Sequence, residues 1–328
     1  MTVDLGLSPD QQAVEELFTT FFAKEAPPSV ARAAEPLGFD AALWGRLAET
    51  GAPGMGVEGA TLGDLVVAAE ALGRAIAPVP LVEHLVASRA HPAPDLLDGS
   101  TIASISLRPA VNGSWRLVPA GAVAGVVVGV DGDELVAVRS DAPGTGPRNH
   151  ASAPLADRST GGERTVLGPA ALFAAVLAEW KILTAGALVG VAAGALDLGV
   201  DYAKTRVQFG VPIGSFQAVQ HGLAELPGMI DGARLLTHKA AWCDGTGVLD
   251  VDDNAVEDQL ALASMAFVFA ADVATLATDR SLHYHGGYGF AEEYDIQLYY
   301  RRARGWSLVL DDPAVECRRL ADRLFGAA

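Results

Sequence analysis

The sequence predicts a mostly α-helical fold with a small β domain, and three observations indicate this. The chain has 328 residues, 50% of them hydrophobic and 19% charged, which suits a globular protein with a sizeable core. Apolar residues recur at helical spacing toward both ends of the chain. Between these regions lie short β-type runs separated by turn residues, so the expected order is helices, sheet, helices.

Residues 1–98 are predicted to form an N-terminal helical domain. Ser8 and Gln11 have the spacing of a capping box, and apolar residues follow them at helical intervals. The segments 39–49 and 61–76 repeat the helical signal. Glycine or proline follows each of these segments, which is typical of helix ends.

Residues 99–168 are predicted to form a small, reduced middle β domain. The runs GVVVGV and ELVAV flank Asp131-Gly132-Asp133, which is a hairpin signal. Turn residues crowd the segment 141–163, so an exposed loop is expected there.

Residues 169–328 are predicted to form a C-terminal four-helix bundle. Gly186, Gly190 and Gly194 lie four residues apart, so they form a ridge without side chains along which another helix can approach closely. Pro227 predicts a kink or break within its helix. The long helices are expected at 169–207, 215–244 and 253–284, with a fourth from about Asp312-Pro313.

The charge of the chain argues against two classes of partner. Its formal net charge is −17, whereas nucleic acids and anionic membrane surfaces attract basic patches. The segment 182–200 is apolar enough to span a membrane, but it contains Asp197 and many small residues and is interpreted as a buried bundle helix. No membrane span is therefore expected.

The N-terminus and the cysteines suggest a cytoplasmic protein. The first residues lack the charged and apolar regions of a signal peptide. The two cysteines, Cys243 and Cys317, indicate neither a disulfide framework nor a metal cluster. A reducing cytoplasm is the simplest compartment for such a chain.

Two stretches combine arginine, glycine and aromatic residues between helices. The first runs RVQFG from Arg206 and continues to Phe216-Gln217, and the second runs HYHGGYGFAEEYDIQLYYRRAR from His283 to Arg304. Paired glycines let the backbone approach another group closely, so these stretches differ from the helices around them.

Together these stretches resemble the acyl-CoA dehydrogenase family. The resemblance covers the whole order of helices and strands and is strongest over residues 184–304. It implies FAD as cofactor, an acyl-CoA substrate, and dimers in which the corresponding residues reach the neighbouring subunit's FAD. It assigns cofactor contacts to Arg206, Gln208, Phe209, Phe216, Gln217, His283, Gly286 and Gly287.

Other interpretations of these residues are simpler. Arg206 could pair with a carboxylate of the bundle, such as Asp201 or Glu225. His283 and His285 lie two apart, but no third ligand is near, so no metal site is expected.

The resemblance fails at the catalytic base. The family carries a Glu either on the first bundle helix, where this chain has Trp180 followed by Lys181, or after the arginine-rich helix, where it has Leu310. Neither side chain accepts a proton. Glu179 and Asp311 are the neighbouring carboxylates, but each is displaced from the required position, so no catalytic residue is assigned.

The middle domain also departs from the family, at the segments that hold the flavin. The family's segments that hold the ring of a subunit's own flavin are replaced by SISLRPAVNGSWRLVP at residues 104–119. The half of the flavin site formed within the subunit therefore looks eroded, whereas the half offered to a neighbour is retained.

These departures suggest a subunit that supplies part of a flavin site to a catalytically complete homologous partner. The family includes α2β2 heterotetramers that act on steroid-CoA thioesters, and the chain resembles their short subunit. Two alternatives stay open. One is a self-sufficient homo-oligomeric flavoenzyme that uses Glu179, and the other is a cofactor-free scaffold.

Overall fold

A computed structural model describes residues 6–242 and 253–326, without the side chains of 253–258. Helices predominate and the strands form small sheets, so the predicted fold class is confirmed. The helices are α1 (Pro9–Glu25), α2 (Pro28–Ala33), α3 (Ala41–Ala48), α4 (Leu62–Arg74), α5 (Leu81–Ala90), α6 (Pro94–Leu97), α7 (Phe173–Thr205), α8 (Gln217–Ala224), α9 (Leu226–Trp242), α10 (Asp253–His285), α11 (Ile296–Ser307) and α12 (Pro313–Phe325). The strands are β1 (Ala103–Ile105), β2 (Ser114–Val118), β3 (Val126–Asp131), β4 (Glu134–Arg139), β5 (Ala156–Ser159), β6 (Glu163–Pro169), β7 (Val207–Gln208) and β8 (Val211–Pro212).

Helix α1 begins at the capping box that the sequence predicts. The Ser8 hydroxyl accepts from the Gln11 backbone N–H at 3.2 Å, and the Gln11 side chain accepts from the Ser8 backbone N–H at 3.0 Å. Thr61 and Asp64 form the same capping box at the start of α4. These reciprocal bonds satisfy N–H groups that a helix start leaves free, which fixes both starting points.

The strands between α6 and α7 form two sheets. The larger has the order β1-β3-β4-β6, with β1 parallel to β3 and the other pairs antiparallel. The predicted hairpin is confirmed, since Asp131 pairs with Glu134 and Gly132 takes a φ of 63° in the turn. Strands β2 and β5 form the smaller sheet, and Trp115 packs between the two sheets in a separate apolar cluster.

Helix α7 is the centre of the bundle, with α10 packed on one side and α4 on another. By length and composition, α7 and α10 could each span a membrane, but 83% of the most apolar window of α7 is buried inside the fold. The sequence-based interpretation of 182–200 as a buried bundle helix agrees with this position.

The glycine ridge of α7 lies against α4. A Cβ on Gly190 would overlap the Glu70 carbonyl oxygen, and one on Gly194 would lie 2.8 Å from the Arg74 carbonyl oxygen. The two helix backbones therefore approach more closely than any side chain would allow.

The remaining bundle helices show where proline acts. The segment predicted as one helix over 215–244 is divided at Glu225 into α8 and α9, and Pro227 lies in the first turn of α9, where its missing N–H costs nothing. Helix α12 begins after Asp312, whose side chain accepts from the Ala314 N–H at 2.8 Å.

A single large apolar core includes residues from the helices that precede the strands in sequence, from the helices that follow them, and from β1, β3 and β4. The division into domains at 98 and 168 therefore stays a prediction. Cys317 is an exposed free thiol, and Cys243 lies outside the described residues.

Candidate functional site

A tight hairpin follows the end of α7. Arg206 leaves the helix with its backbone N–H still bonded to the Tyr202 carbonyl at 2.8 Å. Strands β7 and β8 then pair around Phe209 and Gly210, whose φ angles are 53° and 82°. Two consecutive positive φ values are typical of a two-residue hairpin turn, but a bulky residue such as Phe rarely adopts one. This conformation holds the Phe209 side chain out of the core, with 94% of it exposed.

Arg206 makes neither of the ion pairs considered from the sequence. Asp201 pairs with Lys204 at 3.5 Å, and Glu225 pairs with Arg280 at 2.7 Å. The Arg206 guanidinium instead lies 5.3 Å from the centre of the Tyr288 ring. Within the described residues it has no carboxylate partner, so its charge remains available to an anion.

The glycine turn after α10 lies beside this arginine. Gly286 has a φ of 62°, which favours glycine, and a Cβ on Gly286 or Gly287 would meet no atom within 4 Å. By contrast, a Cβ on Gly289 would lie 2.6 Å from the Leu282 carbonyl oxygen, so packing within this chain explains that glycine. Packing within the described chain does not require glycine at 287. The bare backbone there faces open space.

The two stretches form one exposed surface. The hairpin aromatics Phe209 and Phe216 contact edge to face at 6.2 Å, while Tyr288 links Arg206 to the glycine turn. Phe290 is 70% exposed. We call this surface the apolar face, and an exposed patch of this kind typically marks an interaction site. Its exposed large apolar members are Val207, Phe209, Val211, Phe216, Tyr288 and Phe290.

The other residues predicted to contact the cofactor are exposed nearby. The Gln208 side chain donates to the adjacent Val207 carbonyl at 2.8 Å, and Gln217 begins α8. His283 is exposed near the end of α10, where the hydroxyl of its neighbour Tyr284 donates to the Ala218 carbonyl of α8 at 3.3 Å. Among the described residues, no three His, Cys, Asp or Glu side chains gather as metal ligands.

The first of the two family base positions is buried and already engaged. Trp180 is 1% exposed and packs against Phe267. Its neighbour Glu179 is 2% exposed and accepts two hydrogen bonds from Arg89 Nε, at 3.2 and 3.0 Å, and one from Arg89 Nη2 at 2.9 Å. The Glu179 carboxylate therefore ties α7 to α5 in a structural ion pair.

The second base position is also occupied by an apolar side chain. Leu310 is 5% exposed, and the adjacent Asp311 pairs with Arg319 at 3.0 Å. Lys181, which follows the first base position, bonds to Glu316 of α12 and donates to the Ser264 hydroxyl at 3.0 Å. Burial pushes the pKa of Glu316 up, but the hydrogen bonds from Lys181 and Ser264 and the charges of Lys181 and Arg319 together outweigh it and hold that pKa below its usual range.

The segment 104–119, which departs from the family's sequence, contacts the second base position. Arg108 donates to the backbone carbonyls of Val309 and Leu310, which connects the end of β1 to the loop after α11. Leu107 and Trp115 of the same segment are buried. These residues are used for packing within the subunit, which is consistent with a lost cradle for its own flavin ring.

A cavity of about 80 Å³ lies between α5, α7 and the loop 151–155, and we call it the inner cavity. Trp180 and Glu83 both line it. Glu83 as a whole residue is half-buried, but protein atoms surround its carboxyl group. This burial raises the pKa of the Glu83 carboxyl. Sequence reasoning missed Glu83, although a lone carboxylate within the apolar run of 76–90 was a signal for a buried charge.

Comparisons with known proteins agree with this architecture. A family model described as "Acyl-CoA dehydrogenase, C-terminal domain" matches residues 171–325. The acyl-CoA dehydrogenase IpdE2 of Mycolicibacterium smegmatis is 31% identical over 335 residues, which cover 97% of this chain and 100% of that protein.

Solved structures match along nearly the whole chain. A chain of the "Tcur3481-Tcur3483 steroid ACAD G363A variant" is 28% identical with a TM-score of 0.82, and the match covers 98% of each chain. A chain of the ChsE4-ChsE5 complex from Mycobacterium tuberculosis has a TM-score of 0.84 at 22% identity, covering 99% of this chain and 100% of that one, which supports the fold alone. With a full-length relative above 30% identity and a family model on its C-terminal half, this chain belongs to the acyl-CoA dehydrogenase family.

Proposed function

We propose that this chain is the companion subunit of a heteromeric acyl-CoA dehydrogenase. The family consists of FAD-dependent oxidoreductases that act on acyl-CoA thioesters, in which the bound flavin supplies the hydride acceptor. In this proposal a homologous partner subunit, in an α2β2 assembly, provides the ring environment and the base. This chain provides the contacts to the diphosphate and adenosine end of the cofactor.

The observation that carries the proposal is the unpaired Arg206 beside a glycine turn that faces open space. Its guanidinium has no carboxylate partner among the described residues, and the bare backbone at Gly286 and Gly287 admits a close approach. These groups fit a diphosphate, which pairs with a guanidinium and accepts from backbone N–H groups. Gln208, Gln217 and His283 would add polar contacts around the adenosine, while Phe209 and Phe216 would pack against the partner.

The interior of the chain supports the second half of the proposal. Both base positions carry apolar side chains, and the two neighbouring carboxylates, Glu179 and Asp311, are held by arginines. A base must approach the proton that it removes; Glu179 is held by Arg89 in the core, and Asp311 is held by Arg319 at the surface. The chain therefore depends on a partner for proton abstraction.

The proposed substrate is an acyl-CoA with a bulky, steroid-derived acyl group. The full-length match at 28% identity is to a chain of a steroid ACAD, and this supports the assignment. Comparing the turnover of a steroid-CoA thioester with that of a short linear acyl-CoA tests it. Equal or faster turnover of the linear substrate would argue against a steroid-type acyl group.

The main experiment expresses the chain with and without its homologous genomic neighbour. We expect flavin absorbance and a heterotetrameric mass only in the co-expressed sample. A single chain that binds flavin stoichiometrically and oxidises a thioester unaided would instead support the homo-oligomeric alternative.

Replacing Arg206 tests the cofactor contact directly. Because a hydrogen bond to a charged group contributes roughly 1.5–3 kcal/mol, Arg206→Ala should weaken flavin retention by the complex about 10- to 100-fold. Arg304→Ala is the matched control, since Arg304 also lies over a tyrosine ring, at 5.4 Å from Tyr300. Equal flavin retention by both variants would favour the cofactor-free scaffold.

A further inference from the structure

Two stacked rings join the end of α7 to the end of α10, beside Arg206 and the glycine turn. The rings of Tyr202 and His285 lie 4.1 Å apart with 20° between their planes, and His285 is 6% exposed. The Tyr202 hydroxyl also donates to the His285 backbone carbonyl at 3.4 Å. These contacts connect the two stretches to which the cofactor contacts are assigned.

The orientation of the His285 ring is fixed from within its own helix. Its Nδ1 bonds to the Ser281 carbonyl at 2.7 Å. Because a carbonyl oxygen only accepts, Nδ1 carries the proton and donates. The ring is therefore held on one edge by α10 and on one face by Tyr202.

Two further tyrosines extend this pair into an aromatic cluster. The Tyr294 ring meets those of Tyr202 and His285 edge to face, at 6.4 and 6.2 Å. The Tyr288 ring lies 5.5 Å from that of Tyr294. Edge-to-face contacts are among the favoured geometries of ring pairs. We call Tyr202, His285, Tyr288 and Tyr294 the ring cluster.

Arg206 is attached to the ring cluster at two points. Its backbone N–H bonds to the Tyr202 carbonyl at 2.8 Å, and its guanidinium lies 5.3 Å from the centre of the Tyr288 ring. The glycine turn lies in the chain between His285 and Tyr288. The arginine and the turn are thus held against the same set of rings.

Helix α2 anchors the segment that carries Tyr294. Arg32 pairs with Asp295 at 2.7 Å and donates from Nε to the Glu292 carbonyl at 3.0 Å. These two partners lie on either side of Tyr294 in sequence. The ring cluster is therefore tied to a third part of the fold as well as to α7 and α10.

We propose that His285 is a positioning residue for the cofactor contact, because its ring holds Arg206 and the glycine turn in one arrangement. This inference rests on the proposed function, in which both groups bind the diphosphate. His285 acts through Arg206, since its own ring is buried against Tyr202, Tyr294 and α10. Groups that are already ordered before binding lose less freedom when the ligand binds.

A role in stability alone is the simpler interpretation of a buried histidine. It predicts that loss of the ring lowers the free energy of unfolding and leaves the hairpin after α7 unchanged. Positioning predicts in addition that a substitution in α10 loosens the hairpin that carries Arg206. The two interpretations therefore differ at residues 206–213, which are distant from His285 in sequence.

Hydrogen exchange of the full chain, followed by mass spectrometry without flavin or partner, tests the positioning. In His285→Ala we expect amide exchange to rise about 2- to 10-fold in both 206–213 and 286–291, because one aromatic pair changes an equilibrium by roughly that factor. His285→Phe keeps a stacked ring, so it should restore most of the protection. His84→Ala is the control, because His84 is another buried histidine beside an aromatic ring, Trp44 at 5.0 Å. It should leave exchange at 206–213 unchanged.

Retention of FAD by the co-expressed complex tests the consequence for the cofactor. His285→Ala should weaken retention about 2- to 10-fold, and His285→Phe should retain FAD nearly as well as the natural chain. In an Arg206→Ala background, His285→Ala should lose most of its effect because it acts through the arginine. Two independent losses would instead add.

Three results would overturn the inference. These are unchanged exchange at 206–213 in His285→Ala, full additivity with Arg206→Ala, and a phenylalanine variant as defective as the alanine variant. If His285→Ala does not fold, Tyr202→Leu removes the same stacked pair from the other side and decides the outcome.

Failure of the proposed function gives a different pattern. Arg206→Ala would then retain its flavin, while the exchange measurement, which needs no flavin, would still show whether His285 holds the hairpin. Loss of flavin in Arg206→Ala together with full retention in His285→Ala would contradict the positioning role alone.

Discussion

Glu179 shows how one contact decides the role of a carboxylate. Three hydrogen bonds from Arg89 occupy both of its oxygens, and Arg89 also donates to the Gly56 carbonyl at 2.8 Å. A base in this position would have to break an ion pair in the core before it reached a substrate. The pair instead stabilises the junction between α5 and α7.

Replacing Glu179 separates a structural role from a catalytic one. Glu179→Gln removes the negative charge that pairs with Arg89, so we expect the free energy of unfolding to fall by roughly 3 kcal/mol. The turnover of the folded complex should change by no more than about twofold, whereas loss of a general base costs roughly 10²–10⁴. Urea denaturation and steady-state kinetics on the co-expressed complex measure the two effects.

The double variant Glu179→Gln with Arg89→Met serves as the control. It removes both charges, so it should recover much of the lost stability. A turnover that collapses in the single variant while its stability is unchanged would identify Glu179 as the base.

Residue types indicate the turns of the exposed surface more directly than they indicate the contacts of buried side chains. The motifs around Arg206 and Gly286 are local in sequence, so their turn geometry and exposure follow from glycine and the nearby helix ends. The partner of Glu179 is 90 residues away, and that of Lys181 is 135 residues away. Such distant pairings depend on how the helices pack, which a single sequence does not specify.

At the scale of elements, the close packing of α4 against α7 depends on glycine. The starts of α1 and α12, the β3–β4 hairpin and the break near Pro227 were predictable, because caps, turns and proline act locally. The glycine spacing predicted a close approach on one side of α7. It could not identify α4 as the neighbour, since the two helices are separated by the sheets in sequence.

A single methyl group should disrupt this packing. Gly190→Ala places a Cβ on the Glu70 carbonyl oxygen, so the helices must move apart, and we expect a loss of roughly 1–3 kcal/mol in unfolding free energy. Gly45→Ala in α3 is the matched control, because its Cβ would meet no atom within 4 Å. That variant should gain up to about 1 kcal/mol from helix propensity. Equal stabilisation of both variants in thermal melts would contradict this packing.

His84 connects three elements and makes their junction sensitive to acid. Its Nε2 bonds to the Leu96 carbonyl at 2.9 Å, and its Nδ1 accepts from the Ala103 N–H at 3.0 Å, so the neutral ring joins α5 to α6 and β1. Burial lowers the pKa of His84 from 6.5 to about 4. Above pH 6.5 the ring is neutral in both the folded and the unfolded chain.

Stability should therefore fall as the pH drops from 6.5 toward 4, because the unfolded chain then binds a proton that the folded chain excludes. The loss attributable to His84 is roughly 3 kcal/mol. Urea denaturation at pH 7 and pH 5 should show a smaller pH dependence for His84→Gln than for the natural chain. Some dependence should remain, since burial also lowers the pKa values of His238 and His285. Identical slopes would show that His84 does not carry this effect.

At the scale of the whole molecule, the apolar face is the surface at which the proposed assembly can be tested. Phe209 is 94% exposed at the tip of a hairpin, in a backbone conformation that a bulky residue rarely adopts. This arrangement contributes nothing visible to the core of the described chain. It is explained if another subunit covers the side chain.

Replacing Phe209 tests assembly without disturbing the fold. Phe209→Asp should weaken association with the partner at least about 10-fold, as expected for an aromatic residue central to an interface. The stability of the isolated chain should be unchanged or slightly higher, since Asp tolerates a positive φ better than Phe does. Phe325→Asp is the control, because that residue is 85% exposed in α12, outside the apolar face. Sedimentation of co-expressed pairs measures both, and intact heteromers in both variants would contradict the role of Phe209.

The position of α7 between α4 and α10 has a consequence for biogenesis. Helix α4 has already been synthesised when α7 leaves the ribosome, whereas α10 has not. The apolar side of α7 that contacts α4 can therefore be buried as soon as it is synthesised. The side that contacts α10 stays exposed until α10 follows. Until α10 packs against α7, the nascent chain is most prone to aggregate or to need a chaperone.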